Sequence, residues 1–122
     1  MKKILITGAS GFIGSFIVEE ALRRGLETWA AVRPTSSLRY LQDARVHLLT
    51  LDLQDPARLM DQLRPHRFDY IVHAAGATKC QDPADFFRVN RDGTRHLFQA
   101  VRALAMPVER IVFLSSLSVF GA

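Results

Sequence analysis

Apolar runs of strand length alternate along this chain with longer amphipathic stretches of helix length, and no other feature limits the fold so tightly. "KILIT" at 3–7 is a run of β-formers that stops at Gly8. "FIGSFIVEEALRR", from Phe12, reads as a helix with a cationic last turn and Gly25 as its stop. "ETWAAVR" is strand-like and ends at Pro34, and "RVHLLTLDL" at 45–53 is a third strand. Asp55 and Pro56 read as N-cap and first helical residue of "PARLMDQLR", which halts before Pro65. "FDYIVHAAG" at 68–76 is a fourth strand. Asp82 and Pro83 repeat the capping device and open a helix to about Leu104, and "RIVFLSS" from Arg110 is a fifth strand. Strands joined by crossovers run parallel, so the expected architecture is a doubly wound α/β sheet ordered 3-2-1-4-5.

At 100° per residue, Phe86, Val89, Leu97, Ala100, Val101 and Leu104 form a wide apolar stripe on the long helix, extended by Phe87 and Phe98. Arg88, Arg91, Arg95, Gln99 and Arg102 occupy the opposite face. Gly93, inside the stripe, reads as a close helix–sheet approach. Asn90 is a polar group on a buried face and needs partners, either nearby backbone or a functional site.

Length and composition narrow the class. With 122 residues, 48% apolar and 23% charged, the chain suits one ordinary globular domain. Its net charge of +4 comes from arginines scattered over separate segments (Arg23, Arg58, Arg67, Arg88, Arg110), not gathered into a stripe, so nucleic acid is not an expected partner. The lone Cys80 excludes an internal disulfide framework and fits a reducing cytoplasm. "MKKILI" mimics a signal peptide, but Gly8, Ser10, Gly11 and Gly14 interrupt the apolar run, and no stretch reaches membrane-spanning length. The four dispersed histidines show no metal-ligand spacing, and His73 reads as a satisfied strand residue rather than a base.

The glycines at 8, 11 and 14 ask why a chain places its least stabilising residues directly after its first strand. A glycine turn between a strand and a helix makes an anion site. The first-turn N–H groups lack intrahelical partners, and the helix N-terminus is partially positive. Gly8 makes the turn, Gly11 admits phosphates, and Gly14 permits tight helix–strand contact. A plain tight turn is the competing reading. The spacing is G-x-x-G-x-x-G rather than G-x-G-x-x-G, and no Lys followed by Ser or Thr supports a P-loop.

"TGASGFIG" resembles the extended short-chain dehydrogenase/reductase family, the NAD(P)-dependent epimerases, dehydratases and reductases. "LDL" at 51–53, "HAAG" at 73–76, "VNRDGT" at 89–94 and "FLSSLSVFG" at 113–121 look like that family's landmarks, in its order. The resemblance implies a Rossmann-like cofactor domain over 1–122, with an incomplete C-terminal half. It implies that the N–H groups of Phe12 and Ile13 bind pyrophosphate. Asp52, with Leu53 beside it, would accept from the adenine amino group, or else cap its own turn. Ala74, Ala75 and Gly76 would let the cofactor pass close to the sheet edge, Asn90 would hold active-site backbone and water, and Lys79 would reach a phosphate or ribose. Relatives that prefer NAD carry a carboxylate after the second strand. Here "AAVRPTSS" offers Arg33, Ser36 and Ser37 to a 2′-phosphate instead, and no carboxylate lies between Glu27 and Asp43, so NADP is expected ahead of NAD.

The same resemblance selects Ser116 as the substrate-orienting serine, with Ser115 and Ser118 as fallbacks and Phe120 in place of the family's usual Tyr. The family's Tyr-x-x-x-Lys is missing: Ala44 stands four after Tyr40, and Ala74 four after Tyr70. The expectation is therefore the N-terminal, cofactor-holding part of a longer oxidoreductase or epimerase, inactive alone, acting on a small-molecule substrate and self-associating through the helix at 84–104. A dinucleotide-sensing regulator of the same fold is the first alternative. A Rossmann-type methyltransferase, which would carry an acidic residue where Arg33 stands, is the second.

Overall fold

The computed structural model describes residues 1–9, 12–32, 43–74 and 83–113, the side chains of Phe12 and of residues 83–90 excepted. Five strands, β1 (Lys3–Thr7), β2 (Glu27–Val32), β3 (His47–Thr50), β4 (Tyr70–His73) and β5 (Arg110–Phe113), alternate with helices α1 (Phe12–Arg23), α2 (Pro56–Leu63) and α3 (Pro83–Ala103). All pairings are parallel, in the order β3-β2-β1-β4-β5. The chain steps one way from β1 to β2 and β3, then returns to lay β4 on the other side of β1. That reversal opens a crevice beyond the carboxyl ends of β1 and β4, where such sheets bind ligands.

Strand alternation sends side chains to two cores. Ile4 and Ile6 of β1 meet Val18 and Ala21 of α1 on one face. Leu5 and Ile71 face the other way, toward Leu59 and Leu63 of α2 and Leu97, Ala100 and Val101 of α3. Each fully buried Leu or Ile contributes about 1.5–3 kcal/mol. On α3 the expected stripe is buried at Leu97, Ala100 and Val101, while Arg91, Arg95, Gln99 and Arg102 are exposed.

Helix ends follow the sequence signals. Asp55 is extended (φ −115°, ψ 100°), its carboxylate accepts from the Arg58 N–H at 3.2 Å, and Pro56 follows at the first helical position. At the end of α1, Gly25 has φ +76°. Its N–H donates to the Leu22 carbonyl and that of Leu26 to the Ala21 carbonyl, both at 3.1 Å, which is the Schellman closure. The end of α3 makes the same two bonds, Ala105 to Arg102 and Met106 to Val101, with an alanine held at φ +50°.

Two strands are shorter than their apolar runs. β3 stops at Thr50 because the Leu51 N–H makes a last bond to Val32, after which the Asp52 N–H turns to a side chain of α2. β4 starts at Tyr70 because Phe68 fills the α2–α3 core, and it ends at His73.

Candidate functional site

The crevice begins at the turn after β1. Gly8 takes φ +67°, the left-handed region that a side chain disfavours, so the backbone reverses directly off Thr7. Gly14, the third residue of α1, is fixed by space. A Cβ there would stand 2.0 Å from the Gly8 carbonyl oxygen, 2.8 Å from its carbon and 2.9 Å from the Ala9 Cα, all rigid backbone. Helix and turn are therefore in contact without an intervening side chain, which is the tight approach expected of Gly14. The first turn of α1 carries no acidic side chain, so the positive end of its dipole is left for an outside anion. Ile13 lies there 63% exposed.

The floor beside this turn belongs to His73. The ring is buried, 4% exposed, and both nitrogens are used: Nδ1 is hydrogen-bonded to Thr7 Oγ1 at 2.7 Å and Nε2 to Thr94 Oγ1 at 3.0 Å. Burial holds its imidazole well below the ordinary range, at about 4. His73 is thus a neutral strut between β1, β4 and α3, the satisfied strand residue that its position suggests. Next to it, the Ala74 N–H donates to the Thr7 carbonyl at 3.2 Å, which brings Ala74 to the mouth beside Gly8.

Asp52 and Leu53 lie past the carboxyl end of β3, two strands from β1, or about 10 Å at the usual strand spacing. Asp52 Oδ1 accepts from the Gln54 N–H at 3.0 Å, so the carboxylate does brace its own turn. The same turn is gripped from two helices. Gln62 Oε1 of α2 accepts from the Asp52 N–H at 2.8 Å, and His96 Nδ1 of α3 lies 2.5 Å from the Leu53 carbonyl oxygen. Gly93 belongs here too. A Cβ on it would come within 3.4 Å of Leu53 Cβ and Gln54 Nε2, so its close approach is to this turn and not to the sheet.

Of the expected site residues, Gly8, Ile13, Gly14, Asp52, Leu53 and Ala74 line the carboxyl edge, and the backbone of Phe12 opens α1. Asn90 falls on α3, but its side chain lies outside the described residues. Gly11, Arg33, Ser36, Ser37, Ala75, Gly76, Lys79 and Ser116 also lie outside them. Gln62 and His96 escaped the sequence reading: the His96 contact spans 43 residues and leaves no local signal, and the Gln62 contact, 10 residues long, depends on how α2 folds back on its own turn. Among the described residues no cluster of three or more His, Cys, Asp or Glu is arranged to hold a metal ion, and no helix is long and apolar enough to cross a membrane.

The model of the NAD dependent epimerase/dehydratase family matches residues 4–122. The UDP-glucose 4-epimerase of Mus musculus is 34% identical over 99% of this chain and 39% of that protein. The chloroplastic divinyl chlorophyllide a 8-vinyl-reductase of Zea mays is 32% identical over 95% of this chain and 30% of that protein. Among solved structures, the UDP-glucose 4-epimerase of Thermus thermophilus in complex with NAD superposes with a TM-score of 0.73 at 31% identity, over 85% of this chain and 35% of that one. The chain thus spans well under half the length of these relatives.

Proposed function

Because this chain belongs to the NAD dependent epimerase/dehydratase family, we propose that it is the cofactor-binding part of an NAD(P)-dependent epimerase, dehydratase or reductase acting on a small molecule. The observation that carries the reading is the side-chain-free contact between Gly14 and the Gly8 turn, which leaves the first amides of α1 next to a bare backbone reversal. That donor set fits a diphosphate: uncharged N–H groups and a helix dipole with no acidic side chain in its first turn. When bound, the nicotinamide would supply a hydride acceptor or donor.

The chain's own residues do the holding. The amides of Phe12, Ile13 and Gly14 would take the diphosphate, Asp52 and Leu53 the adenine, and Ala74, Ala75 and Gly76 the passage along β4, with Gly11 at the mouth and Asn90 and Lys79 nearby. Ser116 would orient substrate. Without Tyr-x-x-x-Lys in the sequence, the chain by itself would hold cofactor and not turn over. A reducing, cytoplasmic setting is part of the reading, on the lone Cys80, as is self-association through α3, where Phe98 is 45% exposed with its ring 4.6 Å from that of Phe113.

Titration of the chain with NAD, followed by amide NMR, is expected to move Gly8, Ile13, Gly14 and Ala74 together. Saturable binding that moves another face, or no binding at millimolar NAD, overturns the proposal. The family description and the Thermus relative both name NAD, whereas the preference for NADP rests on Arg33, Ser36 and Ser37. Parallel titration decides between them, and much tighter NAD binding removes the 2′-phosphate role from those three residues.

A further inference from the structure

The turn at 52–55 is held far more firmly than a link between a strand and a helix requires. Leu51 is buried, and its N–H closes the β-ladder on Val32. Thereafter the Asp52 N–H goes to Gln62 of α2, the Leu53 carbonyl to His96 of α3, the Gln54 N–H to the Asp52 carboxylate, and the Asp55 N–H to the Asp52 carbonyl at 3.3 Å. A carbonyl oxygen can only accept, so His96 Nδ1 must carry the proton, which fixes the ring's tautomer. Gly93, one turn before His96 on α3, faces the same turn, where a Cβ would stand 3.4 Å from Leu53 Cβ and Gln54 Nε2.

We infer that His96, with Gln62 as its counterpart on α2, is a positioning residue that fixes Asp52 and Leu53 for the adenine end of the dinucleotide. The inference rests on the proposed function, which puts the adenine at Asp52. Its physical content is preorganisation. A short turn left to itself would sample several carboxylate positions and lose that freedom on binding, whereas two anchors from separate helices impose the loss during folding. Neither anchor reaches the diphosphate mouth at Gly8, two strands away, so removing one should affect one end of the ligand only.

Two probes separate the ends: ADP, which engages both, and inorganic pyrophosphate, which engages the mouth of α1 alone. In chemical-shift titrations of the 122-residue chain, His96→Leu is expected to weaken ADP about tenfold, the size of one well-made hydrogen bond with its preorganisation, and to leave pyrophosphate unchanged. His96→Asn, whose side-chain amide nitrogen sits where Nδ1 does, is expected to restore ADP affinity to within about twofold. Should His96→Leu fail to fold, Gln62→Leu removes the other anchor and should give the same selective loss. Equal weakening of both probes, or no rescue by His96→Asn, means a merely structural role and overturns the inference. So does unchanged ADP affinity in a folded His96→Leu chain. If the parent chain moves no residue of the α1 mouth with either probe, the proposed function itself fails and the inference falls with it.

Discussion

The β1–α1–β2 unit and the region where β3, α2 and α3 meet serve the same edge of the sheet, yet they are built by different means. In the first, position is set by glycines and backbone. Gly8 turns the chain, Gly14 admits the helix, and Gly25 closes it with two main-chain bonds. In the second, position is set by side chains reaching across the fold, with Gln62 and His96 gripping the turn at 52–54, and a helix end at Ala105 is closed without a glycine. The contrast teaches where each region is vulnerable. Backbone packing at Gly14 fails all at once when an atom is added, whereas a side-chain grip can be loosened one bond at a time.

The largest effect should follow from adding a single methyl group to the first region. Gly14→Ala places a Cβ 2.0 Å from the Gly8 carbonyl oxygen, with only backbone to yield. A loss of about 3 kcal/mol or more is expected, at the upper end of overpacking costs. Urea unfolding measures it, and a near-wild-type midpoint would mean that the contact between Gly14 and the Gly8 turn can open to admit a side chain.

His73 qualifies the comparison, since it supports the backbone-built turn from a distance through Thr7. Its folded imidazole titrates at about 4, against 6.5 for an ordinary histidine. Between those values the unfolded chain binds a proton that the native state refuses. The stabilisation is therefore complete above pH 6.5 and drains as pH falls toward 4, by about 3 kcal/mol. His66, also lowered by burial, adds in the same direction. Unfolding midpoints at about pH 7 and about pH 4.5, either side of most of that window, should show a slope that His73→Gln flattens. An undiminished slope in that variant would assign the acid sensitivity elsewhere.

The smallest effects come from exchanging the two helix ends. At Gly25 an added Cβ meets nothing within 4 Å, so Gly25→Ala should cost only its backbone strain, about 1 kcal/mol. Ala105→Gly relieves the same strain at φ +50° and should gain a similar amount, less the entropy of a new glycine. Thermal melts of the two variants should move in opposite directions. Shifts of the same sign would mean that the matching closures are not energetically equivalent.

Legibility followed the same divide. The strands, the helices and their order could be read because each rests on local rules: β-formers ending at a glycine, Asp-Pro opening α2, periodic apolar positions on α3. The α1 mouth was legible for the same reason, as glycine spacing is a local record of backbone shape. Asp52 was singled out by resemblance, with bracing of its own turn as the competing reading, and the bracing bond from the Gln54 N–H is the one the structure contains. The trimmed ends of β3 and β4 were not legible, because Leu51 and Phe68 look like strand residues and only packing assigns them to a turn and a core.

What the amino-acid order determined alone was the alternation of elements, and through it the parallel sheet and the crevice over β1 and β4. Chain connectivity and side-chain period leave few other ways to bury those apolar faces. What only the tertiary structure decided was which distant polar side chains meet. His73 finds Thr7 and Thr94, and His96 finds the turn at 52–54. A hydrogen bond between residues far apart in sequence depends on where two helices come to rest, and no short window of residues records that.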